Sequence, residues 1–227
     1  MYVTSHEFTA GIEAIQATTL LCNEGLGLTI KSIPAGSILF HEGDDAYAVY
    51  EIIEGVCRSS MVLSNGRRQI ISFGYPSDFV GVSHDCKYHY ECEAITDMKV
   101  RVFRKNACSA RSDTDPDFSD RMLKYMAAEV CGMQEHFMML GKKSATEKLA
   151  SFLIAIADRS CTHDGQVIKI SLPMSRIDIA DFLGLTIETI SRTFTKLRKD
   201  GIVEFDGSKT VVILEPSILL NVSNPDE

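Results

Sequence analysis

Apolar residues between positions 28 and 104 fall in short runs, each closed by glycine or a polar turn. Runs at 38–40, 48–53, 56–63, 68–73 and 98–103 end at Gly43, Gly55, Asn65-Gly66, Gly74 and beyond Phe103. Regularly spaced short strands with such turns predict a closed or two-sheet all-β domain. The period then changes. After Asp113-Thr-Asp-Pro-Asp117, apolar residues stand at Met122, Met126, Val130, Met133, Phe137 and Leu140, in steps of 4, 4, 3, 4 and 3. That is a heptad seam on one long helix, suited to a second copy of the chain, although a helix packed on its own β-domain shows a similar stripe. Gly132 weakens this helix locally and offers room for a close partner. A break at 141–144 precedes an amphipathic helix at 145–159, a polar loop at 160–166 and a strand at 167–172.

Residues 175–201 carry the densest pattern. Ser175 and Asp178 have the capping-box form, Gly184 supplies a turn, and Thr186 is placed to cap a second helix. In that helix Ile190, Phe194 and Leu197 share an inward face. Glu188, Ser191, Arg192, Thr195 and Lys199 collect on the other side. Two short helices about a glycine turn form a helix-turn-helix, whose second helix fits the DNA major groove. Arginine binds guanine O6 and N7 together, glutamate accepts from a base amino group, and serine serves either way. A solvated amphipathic helix satisfies the same pattern, and Glu188 with Arg192 is also a plain i,i+4 stabilising pair. Segments 202–205 and 210–214 about Asp206-Gly207 predict a hairpin with a tight turn, the wing of a winged helix.

Charge sharpens the picture. The chain of 227 residues has a formal net charge of −8, unusual for a nucleic-acid binder. Yet residues 142–212 hold 11 basic and 9 acidic side chains and form the only net-positive block. A small basic surface on an acidic body leaves base contacts to decide where the protein binds. Seven cysteines without repeating spacing argue for a reducing compartment. No apolar window approaches a membrane span, so a cytoplasmic protein without a membrane partner is expected. No nucleophile–base pair or phosphate-cradling glycine loop stands out, which disfavours an enzyme.

The order of parts (β-roll, long helix, winged helix-turn-helix) resembles the CRP–FNR superfamily of bacterial transcription regulators along nearly the whole chain. The carrying segments are Pro34-Ala-Gly-Ser-Ile-Leu-Phe-His-Glu-Gly-Asp44 and Leu172 to Arg192. The resemblance implies an α+β fold: a cyclic-nucleotide-binding-like jelly roll at 1–112, a dimerisation helix at 113–141, and a winged helix-turn-helix domain at 142–227. Met122, Met126, Val130, Met133, Phe137 and Leu140 would form the homodimer interface. Glu188, Ser191 and Arg192 match the reading set of FNR-type and FixK-type members, which prefer TTGAT-N4-ATCAA palindromes. CRP itself carries arginine and glycine where this chain has Ile187 and Ser191. Arg176 aligns with a phosphate-contacting arginine, and Ser175, Thr186, Thr189, Thr195 and Lys196 are expected at the DNA backbone or flanking bases. Double-stranded DNA and RNA polymerase are the implied partners.

Family switches are missing by the same comparison. Gly81-Val82 stands where nucleotide-binding members have Gly-Glu, and no arginine lies between Arg68 and Arg101. The N-terminal region offers Cys22 alone, and Val100 occupies the β-roll cysteine position of iron–sulfur members. No cofactor is therefore expected. The chain is similar to the FixK-type branch, which activates genes for low-oxygen respiration and nitrogen fixation. One cluster remains: His84, Cys86, His89 and Cys92. Imidazole and thiolate suit Zn2+, but the spacing matches no familiar zinc motif, and strand alternation would point some of the side chains apart. A redox-responsive thiol and unligated residues are the alternatives. Cys108, Cys131 and Cys161 are individually uninformative, Cys161 being placed in an oxidisable loop. The contrasting functional reading is an effector-gated regulator whose β-roll binds a small molecule or metal.

Overall fold

The structure, a computed structural model, describes residues 29–104, 116–164 and 167–225. Cys22, Cys108 and Asp113 to Asp115 lie outside the described residues. Strands β1 (Thr29–Ile33), β2 (Ile38–Phe40), β3 (Ala48–Glu54), β4 (Cys57–Val62), β5 (Arg68–Gly74), β6 (Phe79–Val80), β7 (Glu91–Ala94) and β8 (Met98–Arg104) build an antiparallel roll. It consists of two four-stranded sheets, ordered β1-β8-β3-β6 and β2-β7-β4-β5. Period-two alternation places Phe40, Tyr50, Ile52, Cys57, Cys92, Ala94 and Val100 between them. Strands β1, β6 and β7 carry weak apolar signals: β1 is exposed at four of its five positions, and β6 has two residues. Their pairing partners, not their own pattern, make them strands.

Aromatic rings fill the roll. Phe40 stacks on Tyr88 with centroids 3.9 Å apart and meets Tyr90 edge-on at 5.4 Å. The Tyr88 hydroxyl donates to the Ala48 carbonyl at 2.7 Å, and the Tyr90 hydroxyl accepts from the Gly81 N–H at 2.8 Å. Gly81 has φ +81°, and a Cβ there would lie 3.0 Å from the Tyr88 ring. Both facts require glycine at this point.

Helix α1 (Pro116–Lys142) opens with proline at its first position, where the missing N–H costs nothing. It runs through Gly141 to Lys142, with Lys143 N–H still bonding Met139 O at 3.2 Å, and breaks within the expected 141–144 stretch. The chain turns at Lys143-Ser144. Ser144 and Glu147 exchange hydrogen bonds at 2.9 and 3.4 Å and start α2 (Ala145–Ser160) as a capping box.

The C-terminal domain follows as β9 (Cys161–Asp164), β10 (Val167–Ser171), α3 (Arg176–Leu183), α4 (Ile187–Lys199), β11 (Val203–Phe205), β12 (Thr210–Ile213) and α5 (Pro216–Ser223). Its sheet has the order β11-β12-β10-β9. One expectation needs correction. The polar stretch containing Cys161 is an edge strand, not a loop, because β9 pairs in register with β10. The β11–β12 connection spans Asp206 to Lys209, between the two expected strands, and is closed by Asp206 N–H to Thr210 O at 3.1 Å.

Roll and DNA-binding domain share one core. Phe73 of β5 packs against Phe182 of α3 at 5.2 Å and Phe152 of α2 at 6.1 Å, in a continuous apolar cluster. Above it Arg58 and Arg68 converge on the almost fully buried Asp178, at 3.1 and 2.7 Å. Arg58 also reaches Glu93, Arg68 reaches Asp181, and Gln69 donates to the Asp181 carbonyl.

Candidate nucleic-acid interface

Local chemistry builds the reading head from its caps. Ser175 accepts from Asp178 N–H at 3.1 Å while Asp178 accepts from Ser175 N–H at 3.0 Å, the reciprocal box that starts α3. Gly184, at φ 62° and ψ 39°, turns the chain in the left-handed region, and its N–H returns to Ala180 O. Thr186 then caps α4 by accepting from Thr189 N–H at 3.2 Å. Ile190, Phe194 and Leu197 are buried, as their spacing predicts, and Thr193 joins them by bonding back to Thr189 O at 2.8 Å.

Glu188, Ser191, Arg192, Thr195 and Lys196 are all exposed along the other face, with Glu188 in the first turn. Glu188's own N–H and the Thr186 hydroxyl hold its carboxyl below the ordinary value; Arg192's charge adds the smallest contribution. It is thus an ionised, acceptor-only group on a capped helix terminus. Ser175 and Thr186 are exposed but serve as caps, and Thr189 is half-buried against Thr186 at 3.0 Å. Arg176 sits differently from a free phosphate ligand. Its guanidinium lies 3.5 Å from the Phe194 ring centroid and 5.0 Å from that of Phe205, half-buried, and burial lowers its pKa. The stacking ties α3 to α4 and the wing.

The long helix presents two seams. Met122 and Tyr125 pack on Phe79 and Phe103 of the roll, and Gly132, His136 and Met139 are buried further along the same side. Gly132 therefore faces its own chain. Leu123, Met126, Val130, Met133 and Phe137 are exposed on the opposite side, Leu123 at 68% and Phe137 at 77%. Of the six expected seam residues, Met126, Val130, Met133 and Phe137 stay together. Met122 and Leu140 are half-buried instead, and Leu123 takes the first place. Periodicity could not choose between 122 and 123, since both lie near the same stripe; the docked roll decides.

The histidine–cysteine set divides. Cys92 is fully buried beside Cys57, and a hydrogen bond to Cys57 together with burial raises its thiol pKa well above the ordinary range. His84, Cys86 and His89 are exposed. Sequence reasoning missed the Arg58–Asp178–Arg68 junction, whose partners lie 110 or more positions apart and leave no local signal.

A β-roll, a long helix with an exposed apolar seam and a winged helix-turn-helix define a class of two-domain DNA-binding regulator. A Crp-like helix-turn-helix domain matches residues 147–222, and a cyclic nucleotide-binding domain matches residues 30–112. The transcriptional activatory protein AadR of Rhodopseudomonas palustris is 41% identical over 165 residues, 73% of this chain and 69% of AadR. The nitrogen fixation regulation protein FixK of Bradyrhizobium diazoefficiens is 36% identical over 195 residues, 86% of this chain and 82% of that one. FixK2 from Bradyrhizobium japonicum superimposes with a TM-score of 0.80 at 33% identity, covering 87% of this chain and 98% of that chain. The chain belongs to the CRP–FNR family of transcription regulators, and its C-terminal domain is a DNA-binding helix-turn-helix. None of its described helices is long and apolar enough to cross a membrane.

Proposed function

We propose that the protein is a homodimeric, cytoplasmic transcription activator reading an FNR-box-like TTGAT-N4-ATCAA palindrome in a low-oxygen response. The observation that carries this reading is the exposed Glu188–Ser191–Arg192 face at the start of α4, borne on a helix capped at Thr186 and anchored by Ile190, Phe194 and Leu197. In mechanism, Arg192 binds guanine, Glu188 accepts from a base amino group, and Ser191 contacts a neighbouring base. Two copies joined along Leu123, Met126, Val130, Met133 and Phe137 set the two heads one helical turn apart, matching the two half-sites. An apolar stripe this regular on an exposed helix supports such a partner. Deformation at flexible pyrimidine–purine steps adds to selectivity, and the bound dimer recruits RNA polymerase.

The names of the relatives, an activatory protein and a nitrogen fixation regulator, support activation and the physiological setting. A roll that works without a nucleotide is supported by its interior, packed with Phe40, Tyr50, Tyr88 and Tyr90, and by Val82 in place of a ribose-binding glutamate. Fluorescence anisotropy with the palindrome, run with and without reductant, tests the reading. Arg192→Ala should lose about 1–3 kcal/mol on the palindrome and relax discrimination at the guanine. Equal weakening on every sequence would mean that Arg192 contacts the backbone and does not read a base.

A further inference from the structure

The loop between β6 and β7 holds a side-chain cluster that the DNA-binding reading does not use. His89 Nε2 lies 3.1 Å from Asp85 Oδ1, and His84 Nε2 lies 3.8 Å from Asp85 Oδ2. The two imidazoles stack in parallel, centroids 5.1 Å and planes 14° apart. One donor atom from each of the three residues falls within 4.8 Å of the others. We propose that His84, Asp85 and His89 form a binding site for one divalent transition-metal ion of the Zn2+ type.

The distances suit this. Donors around tetrahedral Zn2+, at about 2.0–2.1 Å from the metal, stand roughly 3.3 Å from one another. The Asp85–His89 pair already has that separation, so rotation of the exposed His84 ring completes the triangle. Two imidazoles and a carboxylate are borderline donors that favour Zn2+ and its neighbours over Ca2+ or Mg2+. Three protein ligands leave a position open for water.

The loop is also built to hold its shape. The Ser83 hydroxyl shares its single proton between Lys87 O at 2.6 Å and Asp85 Oδ1 at 2.9 Å, and Lys87 N–H donates to Asp85 Oδ1 at 2.8 Å. Both flanks are pinned to the β2–β3 connection: Ala46 N–H bonds Cys86 O at 2.8 Å, and Tyr88 N–H bonds Asp44 O at 3.0 Å. Lys87, in the same loop, has its charge compensated by Asp45 at 2.7 Å. Such outer contacts orient ligands before the ion arrives. They place the site one residue from Tyr88, whose ring is stacked in the roll core. A bound ion would therefore act on the sensor-like domain and not on the reading head.

The test is a Zn2+ titration of the untagged full chain against a chromophoric chelator, with Co2+ absorption as the spectroscopic reading. One ion per chain should bind, with affinity lowered at least about tenfold by His89→Ala and by Asp85→Asn. Cys86→Ser should bind like the parent protein, and Co2+ should show d–d bands without a thiolate charge-transfer band. All three positions are exposed, so circular dichroism of the variants should match the parent. Absence of one-to-one binding would overturn the proposal. So would affinity indifferent to both substitutions, or a thiolate band that survives them. None of these readouts involves DNA, so their failure is distinguishable from failure of the DNA-binding reading.

Discussion

Acid should loosen the joint between the long helix and the reading head through one histidine. His136 lies on the inward face of α1, 7% exposed, with its ring stacked 4.3 Å from that of Phe182 in α3. Burial, with neighbouring positive charge that includes Lys148, lowers its pKa to about 4. In the unfolded chain the same imidazole titrates near the ordinary 6.5. The folded state thus refuses a proton that the unfolded state binds, and its stability is full above pH 6.5 and falls as pH drops towards 4. At about 1.36 kcal/mol per unit, the loss between pH 7 and 4.5 is about 2 kcal/mol, a sizeable share of a typical domain's stability. Urea unfolding of the parent protein and of His136→Phe, at one protein concentration across this range, isolates the effect. Carboxylates common to both proteins cancel, and phenylalanine retains the ring stack. The parent should lose about 2 kcal/mol relative to the variant. Parallel stability curves would refute the assignment of His136 as a buried neutral imidazole.

Phe137→Glu, at a side chain 77% exposed in the single chain, should leave unfolding of the monomer nearly unchanged while halving the mass seen by sedimentation and abolishing tight palindrome binding. An unchanged mass would remove the exposed seam as the dimer contact. Asp178→Ala removes a cap and leaves Arg58 and Arg68 held only by Glu93 and Asp181, so denaturant titration should show a loss of about 2–3 kcal/mol. A cost below about 1 kcal/mol would show that the junction contributes little. Burial opposes ionisation of Asp178, but bonds from Ser175 and the two arginine charges win and its pKa lies below the ordinary value. The junction's contribution is therefore present above the unfolded carboxylate range and fades as pH falls through it.

Elements with strong local periodicity could be read ahead of the structure. The caps at Ser175 and Thr186, the turn at Gly184 and the buried Ile190, Phe194 and Leu197 follow from interactions three or four residues apart. The wing and the central roll strands follow from alternation bounded by glycine. A boundary failed where pairing outside the segment decided it. Cys161 became part of an edge strand because β10 was there to pair with it.

Chain chemistry alone therefore determined that a capped helix would present Glu188, Ser191 and Arg192, because a helix face is set by the 100° turn between successive residues. Only the tertiary structure decided what each remaining face meets. Docking of the roll buried Met122 and left Leu123 outward. Folding brought Arg58 and Arg68 across more than 100 positions to Asp178. Strand alternation took Cys92 into the core and left Asp85, unmarked in the sequence, between two histidines. Such contacts depend on chain closure over long separations, which no local pattern encodes.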